Sequence, residues 1–134
     1  MITFVDRTTD LEDLMVEVEA TGPVDTVRGG RSKARALQRF AEALALPTWA
    51  GHNLDALYEL LDERAYESTR RGRDWTLLWS PGRRLIRDHP GDYAAIVSVL
   101  RDVADPERVE EGDGGRVVVV HGPDPARGRQ SHRR

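Results

Sequence analysis

Four consecutive valines, Val117–Val120, constrain this chain more than any other stretch. Successive side chains of a strand point to opposite faces of the sheet, so an unbroken apolar run needs cover on both sides. Strands of that kind belong to parallel sheets, whose crossover connections are helices. The rest of the chain fits. WTLLW, residues 75–79, is a second apolar strand, bounded by Asp74 and by Ser80, Pro81 and Gly82, and Val24–Val27 is a third, shorter one. Around these runs the apolar residues recur at helical spacing. TDLEDLMVEVE has Thr9 and Glu12 at capping-box spacing, with Leu11, Leu14, Met15 and Val18 on one face. Leu37, Phe40, Ala41 and Leu44 mark a helix that begins near Ser32, after Gly29 and Gly30, and closes at Pro47. NLDALYELLDER is a helix with Asn53 as N-cap, and Arg83–Asp88 is a short one broken by Pro90 and Gly91. Tyr93, Ile96, Val97, Leu100, Val103 and Ala104 form the face of the last helix, which Asp92 is placed to cap. The order helix, strand, helix, helix, strand, helix, helix, strand predicts an α/β fold, a small three-stranded parallel sheet packed with helices.

A chain of 134 residues buries roughly two thirds of its unfolded surface and needs no staple to fold. It has no cysteine, which excludes disulfides and thiolate zinc sites. No stretch approaches the roughly 20 apolar residues of a membrane helix, and Asp6 and Asp10 stand where a secretory leader needs an apolar core. The expectation is a cytoplasmic protein without a membrane partner. The net charge of −3 rules out a strongly basic nucleic-acid coat, but its distribution says more. Residues 1–22 carry six acids against Arg7, and residues 122–134 carry four arginines against Asp124. The last stretch, GPDPARGRQSHRR, has no large apolar residue with which to offset ordering entropy. Three parts follow: an acidic N-terminal extension with a helix over 1–22, the main domain over 23–121, and a disordered basic tail over 122–134. The tail has no interleaved aromatics, so no direct nucleic-acid contact is expected of it.

The helix after Asn53 is two-sided. At 100° per residue, Leu54, Leu57, Leu60 and Leu61 fall on one side and Asp55, Glu59, Asp62 and Glu63 on the other. Asp55 with Glu59, and Glu59 with Glu63, are like-charge pairs four residues apart, each costing roughly 0.2–0.5 kcal/mol. A helix selected only for solubility would mix in lysine. No Lys or Arg occurs between Arg39 and Arg64, so the face keeps its repulsion, as a surface built to meet a cationic partner would. Trp49, in the loop before the helix, and Tyr58, at the edge of the acidic arc, are aromatics of the kind that anchor interfaces.

The run LALPTWAGHNLDALYELL, residues 44–61, resembles the core signature of the barstar family, intracellular inhibitors of secreted microbial ribonucleases of the barnase type. The likeness extends from about Val24 to His121 and includes the Trp-rich strand, the VLRD of the last helix and the valine strand. It implies a barstar-like fold and an acidic helix and loop that plug the ribonuclease active site, carboxylates standing in for RNA phosphates. On that resemblance Asp55 and Glu59 are the principal acids, Trp49 and Tyr58 the aromatic contacts, Gly51 and Asn53 the loop-shaping residues, and Asp102 a further acid. It implies no catalytic residue, metal or cofactor, and a monomer that binds its secreted or toxin-type bacterial ribonuclease one to one. Glu59 and Asp102 stand where the best-known member has the other acid, so the reach of each differs by one methylene, in opposite senses. His52 and Thr48 replace acids, and Tyr58 replaces tryptophan.

Two other readings compete. His52, Asp55 and Glu59 make a weak acid/base or metal set, since no second histidine lies near in sequence. Gly29, Gly30, Arg31, Ser32 and Lys33 resemble a phosphate loop but lack its spacing, and a turn suffices. The other is an immunity or regulatory protein for a different basic toxin or nuclease, with the acidic N-terminal helix as an added contact.

Overall fold

The valine run is an interior strand covered on both faces. The computed structural model describes residues 2–6, 10–47, 53–105 and 115–126. In chain order its elements are β1 (Ile2–Val5), α1 (Leu11–Glu19), β2 (Val24–Arg28), α2 (Lys33–Ala43), α3 (Leu54–Arg70), β3 (Thr76–Ser80), α4 (Arg83–Asp88), α5 (Pro90–Val103) and β4 (Arg116–Val120). The sheet has four strands in the order β1-β4-β3-β2, every neighbouring pair parallel. This corrects the expectation of three strands. The missed strand, ITFV, is a short half-buried edge whose ladder partner is β4, with Ile2 opposite Val117 and Val5 opposite Val120. Local pattern carries no trace of a partner at the other end of the chain.

The strand order explains which helices lie where. Going from β1 to β2 the chain crosses the whole sheet in one direction, and from β2 through β3 to β4 it steps back in the other. Right-handed crossovers in opposite directions place their helices on opposite faces. Accordingly α1 packs on one face, where Leu14 and Val18 meet Leu78, Val118 and Val120. The other helices cover the opposite face, where Phe40, Leu57, Leu61, Ile96 and Leu100 meet Leu77, Trp79, Val117 and Val119. The segment expected to be an extension thus supplies an edge strand and the lid of the smaller core.

Element ends follow local chemistry. Asp10 caps α1, its carboxylate accepting from the amides of Glu12 (2.9 Å) and Asp13 (3.3 Å). The expected cap, Thr9, lies outside the described residues. Asp92 does not cap α5, which starts at Pro90 with Asp92 in its first turn, where a carboxylate suits the positive end of the helix. Gly30 has φ +105°, and a Cβ there would fall 2.5 Å from Ala36 Cα, so the double-glycine turn serves the close approach of α2. Within the expected tail, Tyr93 Oη donates to the Pro123 carbonyl (2.6 Å) and Arg101 Nη2 pairs with Asp124 (3.1 Å), which hold residues 122–126 near α5. Burial and, secondarily, the Asp124 charge push the Tyr93 phenol well above its ordinary value. Residues 127–134 lie outside the described residues.

Val18 is fully buried under the valine strand. Val18→Ala is expected to lower unfolding free energy by about 2 kcal/mol, from two lost methyl groups plus the cavity they leave. Urea denaturation measures it, and an unchanged midpoint would mean that α1 does not cover the sheet in solution.

Candidate functional site

The chain is anchored on both sides of residues 48–52. Leu44 is buried at the close of α2, and Leu46 N–H donates to the Ala41 carbonyl (2.8 Å), with the Leu46 side chain packed against the main core. On the far side Asn53 is the N-cap of α3, its Oδ1 accepting from Ala56 N–H at 2.7 Å, and Leu54 packs against the same core. Loop exit and helix entry are therefore set by sequence-local hydrogen bonds and two leucines. Thr48, Trp49, Gly51 and His52 lie outside the described residues.

From that start α3 lays its apolar side inward. Leu57 and Leu61 are fully buried, with Ala56 and Ala65 beside them. The helix runs to Arg70, beyond the expected end near Arg64, because Ala65 continues the buried stripe and the first residue with left-handed backbone is Gly72 (φ +72°). Asp55, Glu59 and Glu63 are exposed on the outward side, while Asp62 is half-buried. Successive acids four residues apart sit roughly 6 Å apart along the axis. Asp55 is in the first turn, where the helix dipole favours its charge. Tyr58 is half-buried, its ring packed against the main core. Asp102 is exposed near the end of α5, which packs against α3. The structure thus brings Asn53, Asp55, Tyr58 and Glu59 together on the first two turns of one helix, with Asp102 on its neighbour.

The first cation after the acidic run does not turn back onto it. Arg64 Nε donates to Asp25 Oδ2 on β2 at 2.6 Å, and Trp75 Nε1–H donates to the same oxygen at 2.7 Å. Among the described residues no salt bridge involves Asp55, Glu59 or Glu63. Sequence reasoning missed this carboxylate. Its signal was an acid inside a short apolar strand, VDTV, which needs a buried partner to be tolerated there. Among the described residues no group of three His, Asp or Glu side chains could hold a metal ion, and no helix is long and apolar enough to cross a membrane.

A parallel α/β domain that presents an acidic helix end is the class of protein this geometry defines. Over residues 25–130 the chain matches the family described as Barstar (barnase inhibitor). The chain belongs to the barstar family, an inhibitor family whose members bind barnase-type ribonucleases. Comparison with curated proteins and with solved structures gives no match.

Asp25→Ala leaves the Trp75 indole without its acceptor and Arg64 without its counterion, the latter partly screened because Arg64 is 41% exposed. An expected loss of about 2 kcal/mol follows. Urea unfolding followed by tryptophan fluorescence reads it, and a stability within error of the parent would show that the shared carboxylate does not hold α3.

Proposed function

We propose that the chain inhibits a barnase-type bacterial ribonuclease by seating the start of α3 and the loop before it in the enzyme's active-site cleft. A ribonuclease cleft concentrates cationic side chains that stabilise phosphate charge during cleavage, and carboxylates presented at fixed spacing occupy the same field. Asp55 and Glu59 are the principal acids, Asp102 a further one. Trp49 and Tyr58 supply the aromatic contacts, Gly51 and Asn53 shape the loop, and the complex forms one to one in the cytoplasm, where no cofactor is needed. One observation supports this reading above the rest. Asp55 and Glu59 are exposed one turn apart on a helix whose opposite side is locked into the core, and neither has a salt bridge among the described residues. Such a surface carries the cost of helix repulsion, which is relieved when cations arrive.

The departures at Glu59 and Asp102 move the two acids by one methylene each, so the cognate enzyme's cationic side chains are expected to differ in position from those that fit the best-known member. Titration of the purified chain against a panel of secreted bacterial ribonucleases tests the reading. Inhibition of at least one member at stoichiometric ratio supports it. Failure across the panel, with tight binding to an unrelated basic toxin, would replace it by the immunity-protein reading.

Glu59→Ala is expected to weaken inhibition by about 2 kcal/mol, roughly 30-fold in Kd, while folding stability stays within about 0.5 kcal/mol of the parent. An inhibition assay beside a thermal melt checks both, and equal inhibition by variant and parent removes Glu59 from the contact. The association rate is expected to fall as salt rises, since exposed charges steer encounter over a Debye length of about 8 Å at physiological ionic strength. Stopped-flow mixing at several salt concentrations measures it, with a flat profile counting against an electrostatic plug.

A further inference from the structure

The far end of α3 carries the opposite charge, and there it borders a cleft of about 620 Å³. Three arginines line the cleft: Arg64 from the body of the helix, Arg71 at its C-cap and Arg73 on the turn into β3. Glu67 and Ser68 from the last turns of α3 stand beside them, and Pro23 and Trp75 add apolar wall. The turn is held in shape. Ser68 Oγ donates to the Arg73 carbonyl at 2.8 Å, Arg73 N–H donates back to the Ser68 carbonyl at 3.0 Å, and Gly72 between them takes the left-handed conformation. Arg64 reaches Asp25 through its Nε, and among the described residues Arg71 and Arg73 form no salt bridge. Counting Asp25 and Glu67 against the three guanidinium groups, the lining remains cationic.

We propose that this cleft is a binding site for a phosphate monoester group, either free phosphate or the phosphate of a nucleotide-sized molecule. Planar guanidinium forks match tetrahedral oxyanions through paired hydrogen bonds, and three arginines line this one cleft. The volume lies within the roughly 300–1,000 Å³ of small-molecule sites. Trp75 is only 3% exposed and offers no face for base stacking, so recognition rests on the phosphate. At 1.5 Å per residue Arg71 lies roughly 24 Å along the helix from Asp55, so an occupant leaves the acidic end free.

The test uses the full chain, titrated at constant ionic strength with inorganic phosphate, adenosine 5′-monophosphate and adenosine, followed by calorimetry and by the NMR signals of the Trp75 indole and the Ser68 amide. Both phosphates are expected to bind and to shift those signals, and adenosine to do neither. The variant carrying Arg71→Gln and Arg73→Gln, both exposed positions, is expected to bind at least about tenfold more weakly with an unchanged thermal midpoint. Tighter binding of the nucleotide than of phosphate supports a nucleotide occupant, and equal binding supports the phosphate group alone. Absence of binding by either up to roughly 10 mM, or undiminished binding by the double variant, overturns the proposal.

Discussion

One carboxylate oxygen holds three parts of the molecule in register. Asp25 Oδ2 accepts from Arg64 Nε of α3 and from Trp75 Nε1 at the head of β3, while Asp25 itself sits on the edge strand β2, opposite Leu77. Its side chain is only 16% exposed, so both donors act on a charge largely removed from water, where each bond counts for more than at the surface. The consequence reaches beyond stability. The Arg64 bond adds a directional tie between α3 and β2 to the non-directional packing of Leu57 and Leu61. With Arg64 turned to the sheet, Leu57 and Leu61 point into the core, and Asp55 and Glu59 are held outward.

The acidic face is left to its own repulsion. The residues three and four before Arg64 are Leu61 and Leu60, so its place on the helix does not pair it with Asp55, Glu59 or Glu63. The repulsion between Asp55, Glu59 and Glu63 stays in place, at a cost of roughly 0.2–0.5 kcal/mol per pair. Burial of Leu57 and Leu61, at roughly 1.5–3 kcal/mol per side chain, exceeds that cost several times over. The fold therefore tolerates a helix face that is mildly unfavourable on its own.

How much of this the sequence discloses depends on the range of the interaction. The valine strand, the two-sided helix after Asn53 and its cap are legible because each is written in residues a few positions apart, and the structure has β4 buried on both faces and Asn53 bonded to Ala56 N–H. Strand β1 is not, because four residues with a polar Thr3 become a strand only by pairing with β4. The Asp25 contacts with Arg64 and Trp75 span 39 and 50 residues, so the acid inside VDTV announces a buried partner but not which residues supply it. Asp10 displaces the expected Thr9 cap by one position, a shift that composition alone does not resolve, since both residue types cap helices. The barstar signature in residues 44–61 was legible as a resemblance, and the family match over 25–130 bears it out.

The placement of α1 bears on how the negative charge of the chain acts. Glu12, Asp13, Glu17 and Glu19 are exposed on α1, which covers the sheet face opposite to α3. Two helices on opposite sides of a sheet are separated by more than the roughly 8 Å Debye length, since each is 10–12 Å wide. At that separation salt screens the acids of α1 from those of α3, and the two sets do not share a contact surface. The acidic patch of α3 is therefore electrostatically separate from that of α1, and its character is set by the spacing of acids along a single helix rather than by the total charge.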